Sequence, residues 1–309
     1  MGETKRRVIA LGFFDGVHLG HGALLRRVAE RARELDAVPC AFTFDQHPSA
    51  RLTGQSVPLL SSLEDRVWLM RRNYGIEEVL LGSFDAMMKM SWRDFVTEYL
   101  AREHGAVHVV AGHDFHFGYR GEGNPERLRA LCAEHGIGCD IIGRVELDGV
   151  TVSSTHIRPL VQAGEVEEAA RFLGHPHLFG QRVGHGKRLG RTLGFPTVNL
   201  PFPEGLLVPA YGVYATLALL EDGRAIPAVT NVGVRPTVEQ AGRANAEGYL
   251  LDFDGDLYGQ EVRLAFYHRL RGERKFPSVE ALRAEVLRNA DQTSDYFAAR
   301  KEERHAGPL

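Results

Sequence analysis

The stretch that most constrains the fold is residues 8–28, VIALGFFDGVHLGHGALLRRV. An apolar run from Val8 to Leu11 leads through a glycine-bearing turn into a helical pattern that begins near His18. This order predicts a β-strand, a short loop and a helix N-terminus, where backbone N–H groups and the helix dipole attract an anion. The sequence therefore predicts a phosphate-binding loop at the start of an α/β domain.

The loop also carries two imidazoles. His18 and His21 are three residues apart and so lie on one face of the predicted helix. Imidazoles in this position can hydrogen-bond a triphosphate while negative charge moves onto its leaving group. An ordinary strand-to-helix turn with two surface histidines is the alternative interpretation. The residues predicted to contact ATP in this stretch are Gly12, Phe14, Asp15, Gly16 and Gly20.

Length and composition limit the class of protein. The 309 residues suffice for two domains of about 150 residues each. With 44% hydrophobic and 25% charged residues, the chain has no unbroken apolar run of the roughly 18 residues that a membrane span requires. A net charge of -3 does not favour nucleic acid, and Cys40, Cys132 and Cys139 suggest neither a disulfide framework nor a zinc site. We expect a cytoplasmic protein without membrane or nucleic-acid partners, and the sequence does not indicate an oligomeric state.

Residues 1 to about 175 alternate short apolar runs with amphipathic helical patterns, which is typical of a parallel sheet with crossover helices. In such an open sheet, ligands bind beyond the carboxyl ends of the strands. The predicted strands are 8–11, 39–43, 78–81, 108–111 and 140–142. The predicted helices are 18–35, 62–73, 91–103 and 125–134.

Polar and aromatic residues follow two of these strands, as TFDQHP at 43–48 and GHDFHFG at 112–118. Aromatic rings beside hydrogen-bonding groups suit a flat heterocycle, although loop packing explains each segment equally well. His113 and His116 also suggest a metal pair, but no nearby residue completes a metal site.

A second polar motif, VSSTHIR, occupies residues 152–158. Ser153, Ser154 and Thr155 supply a helix cap and hydroxyl donors, and Arg158 offers a guanidinium to phosphate. A plain helix cap would need only the hydroxyls. With the loop upstream, the motif favours nucleotide binding.

The pattern changes around residues 173–181 to short strands without crossover helices, which indicates a small antiparallel barrel. We therefore place the domains at 1–178 and 179–309. A terminal helix is predicted to open at Ser278 and to pack on the barrel through Val279, Leu282 and Val286. The predicted strands are 213–220, 225–232, 247–253 and 261–270.

The second half has its own chemical motif, GKRLGRTLGFPTVN at 186–199. A basic, glycine-rich loop can wrap phosphates, and a basic surface turn is the alternative. Thr197 and Asn199 point to one side of an extended segment, where both oxygens suit Mg²⁺. Glu247, at the start of EGYLLDF, is the candidate group to activate an acceptor hydroxyl, although such a glutamate is more often solvated. The ATP residues predicted here are Gly186, Lys187, Gly190 and Thr197.

These motifs resemble those of the bacterial bifunctional riboflavin kinase/FAD synthetases. The first loop and VSSTHIR resemble the HxGH and ISSTxxR elements of nucleotidyltransferases. GRTLGFPTVN and EGYLLDF resemble the GRxLGFPTAN motif and the ExHLLDF strand of riboflavin kinases. The resemblance implies a Rossmann-like HxGH nucleotidyltransferase domain, followed by a small antiparallel β-barrel riboflavin kinase domain with a C-terminal helix.

The resemblance also implies two reactions and their residues. The C-terminal module would phosphorylate riboflavin to FMN with ATP, using Mg²⁺ on Thr197 and Asn199, and Glu247 to activate the hydroxyl. The N-terminal module would adenylylate FMN to FAD and release pyrophosphate, with His18, His21 and Arg158 steadying the triphosphate. The flavin contacts that it implies are His47, Pro48, Asp114 and Phe115 in the first module and Arg271, Glu273 and Phe276 in the second.

Five positions depart from the family patterns: Gln46, His156, Gln181, Val198 and Tyr249 stand where proline, arginine, glycine, alanine and histidine are usual. One alternative is therefore a specialised paralogue that acts on a modified flavin or has one inactive module. Others are a non-catalytic flavin or nucleotide sensor and an adenylyltransferase for an unrelated phosphate acceptor. The reactive groups argue against a sensor, and the kinase-like half argues against the unrelated acceptor.

Overall fold

The computed structural model describes residues 5–45, 57–184, 197–234 and 243–306, with side chains up to residue 300. The chain forms two compact units, one of Met1–Leu59 with Leu63–His156, the other of Leu60–Ser62 with Ile157–Leu309. Residues 157–178, which the sequence analysis assigned to the first domain, fall in the second unit. The domain boundary after residue 178 stays a prediction.

The first unit contains a five-stranded parallel sheet with strand order β3-β2-β1-β4-β5. All five strands were predicted from the sequence, each within two residues at either end. Val8, Ile9 and Ala10 of the central strand are fully buried, because both faces of the sheet are covered. The strands are β1 Arg7–Leu11, β2 Val38–Phe44, β3 Glu78–Gly82, β4 Ala106–Gly112 and β5 Gly138–Ile142.

The crossover helices confirm the predicted α/β alternation. The predicted helix over 91–103 is divided, because a short α-helix capped by Ser91 continues as a π-helical segment, Phe95–Glu103. A hairpin of β6 Glu146–Leu147 and β7 Val150–Thr151 comes after the sheet and was not predicted. The helices are α1 Leu19–Leu35, α2 Leu63–Tyr74, α3 Phe84–Met87, α4 Trp92–Asp94 and α5 Pro125–Glu134.

Two helices come after the hairpin: α6 Ser154–Ala163, which crosses the division between the units, and α7 Val166–Leu173. In the second unit α7 packs on the strands at one end of a six-stranded sheet with order β8-β13-β10-β11-β12-β9. The end strands β8 and β9 contact each other, so the sheet curls towards the predicted barrel. Its strands are β8 His177–Arg182, β9 Thr197–Pro201, β10 Gly212–Leu220, β11 Ala225–Val234, β12 Ala244–Leu250 and β13 Glu261–Gly272.

The strand predicted over 247–253 lies three residues earlier in the structure. β12 ends at Leu250, and Asp252 takes a left-handed backbone with φ 51°. Leu250 belongs to the main core of the unit, whereas Leu251 packs on the other side of the sheet. The strand pattern continues past Leu250 in the sequence, but in the structure a turn begins at Leu251.

The C-terminal helix α8, Val279–Ala306, begins after Ser278 as predicted, with the Ser278 hydroxyl capping the N–H of Ala281. It packs on β10 and β11. Of the predicted apolar positions, Val279 is 56% exposed, whereas Leu282 and Val286 are half-buried. The buried positions, spaced by four, are Glu285, Asn289, Thr293 and Phe297. This helix therefore meets its sheet through a mainly polar stripe.

None of the helices in the described ranges combines the length and the apolar character that crossing a membrane requires.

Gly118 provides a test of the first unit. Its backbone, with φ 74° and ψ -178°, lies in a region that only glycine occupies without strain, and an added Cβ would lie 2.6 Å from Cα of Trp92. We expect Gly118→Ala to lower the free energy of unfolding of this unit by about 3–5 kcal/mol. Trp68 and Trp92 both lie in this unit, so urea unfolding followed by tryptophan fluorescence measures it selectively.

Gly136→Ala is the matched control, because Gly136 also has a positive φ of 67° but no atom within 4 Å of the added Cβ. Gly136→Ala should lower the free energy of unfolding by about 1–2 kcal/mol, because it adds backbone strain but no steric clash. Equal losses of stability in the two variants would contradict the packing of Gly118 on Trp92.

Candidate functional site

The chain between β1 and α1 is held in strained backbone. Phe14, Gly16 and Val17 have positive φ angles of 61°, 76° and 43°. A left-handed conformation is unfavourable for the aromatic and especially for the β-branched residue. Such strain persists only where neighbouring groups fix the backbone.

Three side chains from other elements fix this loop. Arg66 of α2 donates from Nη1 to the carbonyl oxygen of Phe13 at 2.7 Å, and its guanidinium lies 4.3 Å from the centre of the Phe13 ring. The hydroxyl of Thr43, at the end of β2, donates to the same carbonyl at 2.8 Å. The hydroxyl of Ser154 donates to the carbonyl of Asp15 at 2.9 Å. The predicted cap residue Ser154 therefore stabilises the loop itself.

The two histidines stand side by side at the start of α1, as the spacing predicted. Nδ1 of His18, the N-cap residue, accepts the backbone N–H of His21 at 3.3 Å, and the two rings stack with centroids 3.6 Å apart. This bond leaves Nε2 of His18 as the donor nitrogen of the neutral ring. Burial, the neighbouring His18 and the charge of Arg66 together hold the pKa of His21 well below its ordinary value. His21 is therefore neutral at pH 7.

A cavity of about 560 Å³ opens in the first unit at the carboxyl ends of the sheet strands. It brings together residues that the sequence analysis assigned to two ligands. The ATP residues among its lining are Gly12, His18, Gly20, His21 and Ser153, and the flavin residues are Asp114 and Phe115. Their common location matches the rule that ligands bind beyond the carboxyl ends of parallel strands.

Other predicted residues of this half lie elsewhere. Phe14, Asp15 and Gly16 are buried within the loop and are not among the residues that line the cavity. Thr155 lies in the first turn of α6, and Arg158 lies one turn further, beyond the division into units. The predicted flavin residues His47 and Pro48, like the departure at Gln46, lie outside the described residues.

The cavity also has a wall that sequence reasoning missed. It is formed by residues after β5 and by the second strand of the hairpin, and it includes Arg144 and Thr151. Among the described lining residues, Arg144 is the one arginine or lysine and Asp114 the one carboxylate. The carboxyl end of β5 was the available signal, because that end belongs to the same edge of the sheet. His113 and His116 line the cavity too, and no metal-binding cluster of His, Cys, Asp and Glu occurs among the described residues.

The second unit places its predicted residues on one face of the sheet. Asn199 of β9 is paired with Glu247 of β12, and Glu247 is paired with Asn231 of β11. Directly paired residues of antiparallel strands lie on the same face, with Cβ atoms about 5 Å apart. Val198 and Leu200, which alternate with them, are buried in the main core on the opposite face. Thr197 is paired with Tyr249 in the next row of side chains on the same face.

The same face continues to α8. Arg271 of β13 donates from Nε to Oδ1 of Asn289 at 3.1 Å and lies 3.1 Å from Oε1 of Glu285. A hydrogen bond from Arg288 and the charges of the surrounding arginines hold the pKa of Glu285 below its usual value. Phe276 lies under the guanidinium of Arg271, with 5.4 Å between that group and the ring centre.

Of the remaining residues predicted for the second unit, Glu273 has its carboxylate against the backbone of Gly233 on β11. Gly186, Lys187 and Gly190 lie outside the described residues. The buried polar residues Glu285 and Asn289 were missed, because a stripe spaced by four among many other charged residues does not stand out in a sequence.

The two halves match two different families. Residues 1–156 match the FAD synthetase family, and residues 173–297 match the riboflavin kinase family. A solved structure described as a macrolide-efflux protein from Streptococcus pneumoniae has a TM-score of 0.78 with this chain at 29% identity, and the match covers 95% of each chain. That match shows a shared architecture.

Curated relatives cover both halves together. The bifunctional riboflavin kinase/FMN adenylyltransferase of Pseudomonas fluorescens is 38% identical over 94% of this chain and 92% of that protein. The proteins of the same name from Listeria monocytogenes and Escherichia coli K12 are 35% and 32% identical, over 94% and 95% of this chain and 93% and 94% of their own lengths. The chain belongs to the bifunctional riboflavin kinase/FMN adenylyltransferase family.

Proposed function

We propose that this chain phosphorylates riboflavin to FMN in its C-terminal half and adenylylates FMN to FAD in its N-terminal half, with ATP as the second substrate of both reactions. The observation that carries the proposal is the cavity of the first unit. It places the two stacked histidines of the glycine loop and the aromatic and carboxylate groups after β4 around one space. A nucleotide and a flavin must meet in such a space for adenylyl transfer.

Adenylyl transfer forms a bond between a phosphate oxygen of FMN and the α-phosphorus of ATP, while the bond to the β-phosphate breaks and pyrophosphate leaves. The FMN phosphate is largely ionised near neutral pH, so the nucleophile needs no base. Negative charge grows on the pyrophosphate, and donors placed at that point lower the barrier. We assign this role to His18 and His21, with Arg158 as a further donor. Gly12 and Gly20, which lack side chains, would allow the triphosphate to come close to the backbone.

The flavin side of the cavity has complementary chemistry. The ring of Phe115 offers a face on which the isoalloxazine can stack, and Asp114 offers an oxygen to its ring N–H. Phe115 in turn stacks on Phe117, with ring centroids 5.5 Å apart, and Phe117 is buried in the core. The packing beneath Phe115 therefore fixes the stacking surface.

Phosphoryl transfer to riboflavin makes a different demand, because the attacking group is a ribityl hydroxyl that must lose its proton. Glu247 is the group that accepts it, and its strand pairing keeps it beside Asn199. Thr197 and Asn199 supply neutral oxygens of the kind that Mg²⁺ binds together with substrate phosphates. When bound, Mg²⁺ would neutralise charge on the transferred phosphoryl group.

Arg271, Glu273 and Phe276 are proposed to contact the flavin in this second site, on the sheet face that α8 adjoins. Phe276 offers a stacking surface, and the pairing of Arg271 with Glu285 and Asn289 fixes the guanidinium. We further propose that the protein works in the cytoplasm, without nucleic-acid or membrane partners.

The first activity prediction concerns His21. Replacing it by glutamine removes an imidazole donor from the leaving group, so kcat for FAD formation from FMN should fall by about 100- to 1,000-fold. FMN formation from riboflavin by the same sample should stay within about twofold of wild type. Chromatography of flavins after incubation with ATP and Mg²⁺ measures both.

The control for this variant is His113→Gln, because His113 lines the same cavity but is not assigned to the triphosphate. Its kcat should fall by less than about tenfold. Equal losses in the two variants would argue against a special role for His21.

The second activity prediction reverses the pattern. Glu247→Gln removes the proton acceptor, so kcat for FMN formation should fall by about 100- to 10,000-fold while FAD formation from FMN is kept. Glu204→Gln, at a carboxylate that is 93% exposed in the same unit, controls for the lost charge. Normal FMN formation by Glu247→Gln would overturn the assignment.

A further inference from the structure

Arg66 is a buried cation that the assigned chemistry does not use. Only 1% of its surface is exposed, and the neighbouring Asp65 is buried as well, whereas the other charged residues of α2 are exposed. Burial lowers its pKa, while the carboxylates of Asp15 and Glu64 act in the opposite direction, so the guanidinium keeps its charge at neutral pH. A buried charge is costly and requires hydrogen bonds, which makes its partners informative.

Two of its hydrogen bonds are made where the loop before the histidines begins. One nitrogen of the guanidinium, Nη1, reaches both the carbonyl oxygen of Phe13 at 2.7 Å and the hydroxyl of Thr43 at 3.1 Å. Thr43 donates to the same carbonyl, so the three groups form a closed triangle. The next residues, Phe14 to Val17, are those with strained backbone.

The triangle lies at the point where the strained backbone begins. The carbonyl of Phe13 is held by two hydrogen bonds directly before the left-handed residues. His18 caps α1 directly after them. A loop released at Phe13 would relax towards ordinary backbone angles. His18 and His21 would then leave the positions in which their rings stack at the cavity.

We propose, on the basis of the function proposed above, that Arg66 is a positioning residue for adenylyl transfer. It holds the loop of residues 12–18 in the strained conformation that presents His18 and His21 to the triphosphate. Thr43 is its neutral partner in this role. Arg66 acts through the loop and does not touch the reacting atoms.

Its charge has a second consequence at His21. Burial, His18 and Arg66 all lower the pKa of His21, in that order. The other charged or titratable groups around the site are Asp15 behind the loop, the α2 residues Glu64, Asp65 and Tyr74, and, across the cavity, His113, Asp114, His116 and Arg144. Removing the charge of Arg66 raises the pKa of His21. The structure holds His21 neutral, so we expect FAD formation to fall as the pH drops through that pKa, and the acid limb of Arg66→Met to lie at higher pH than that of wild type.

The experiment compares four variants of the full chain: Arg66→Met, Arg66→Lys, Thr43→Val and Arg71→Met. Arg71 is exposed on the same helix and serves as the control. For FMN-to-FAD conversion we expect Arg66→Met to lower kcat by about 10- to 100-fold with a smaller change in KM for ATP. Thr43→Val should lower kcat by about 3- to 10-fold, and Arg66→Lys should recover part of the loss.

The pH profile separates positioning from simple loss of structure. Arg66→Met should move the acid limb of kcat to higher pH, whereas Thr43→Val and Arg66→Lys should leave it at the wild-type pH. FMN formation from riboflavin, measured on each sample, should match wild type. Two results would overturn the proposal. One is that Arg66→Met loses FMN formation and FAD formation to the same extent; the other is that its kcat for FAD formation stays within about threefold of that of Arg71→Met.

A measurement that does not depend on turnover tests the role of Arg66 separately from the proposed function. In protein with isotope-labelled histidine, the His21 ring signal is identified by its loss in His21→Gln, and its pKa is read by NMR titration. We expect a higher pKa in Arg66→Met and no change in Thr43→Val. An unchanged pKa in Arg66→Met would count against the proposal, whereas wild-type protein that makes no FAD would refute the proposed function alone.

Discussion

The site of the first unit depends on one hydrogen-bonded carbonyl. The oxygen of Phe13 accepts from Arg66 and from Thr43, and these bonds come from a helix and a strand that are distant from it in sequence. They stabilise a backbone that Phe14 and Val17 would otherwise leave. The glycine loop is therefore not an autonomous motif. It requires the finished sheet and α2 before its two histidines can stand together at the cavity.

The second unit positions its proposed site residues without strained backbone. Its functional groups lie on a regular sheet, where strand pairing alone sets Asn199, Glu247 and Asn231 in one row. Alternation places apolar side chains such as Val198 in the core on the opposite face. The two units thus position the residues proposed to bind ATP by different means, one through a loop at strand ends and the other through strand register. This difference agrees with their matches to two separate families.

Much of this arrangement could be predicted from local sequence. The strands of the first unit and helix α5, with Asn124 as cap and Pro125 in its first turn, carry strong local signals. The spacing of the two histidines predicted that they would lie together. Arg66 was not predicted, because a buried arginine on a polar helix looks like any solvated one until the sheet lies against it. Arg144 and the polar stripe of α8 were missed for the same reason, since burial at those positions is decided by partners far along the chain.

The polar contact between α8 and its sheet restricts rotation of the helix about its axis. An apolar stripe lets a helix slide or rotate slightly at little cost, because the hydrophobic effect has no fixed direction. Glu285 and Asn289 instead meet Arg271 through directional bonds, so α8 has one permitted rotation about its axis. Each residue of a helix turns it by about 100°. A one-residue insertion between Val279 and Glu285 would therefore turn Glu285 and Asn289 away from Arg271, so the length of this first part of α8 is more constrained than its composition.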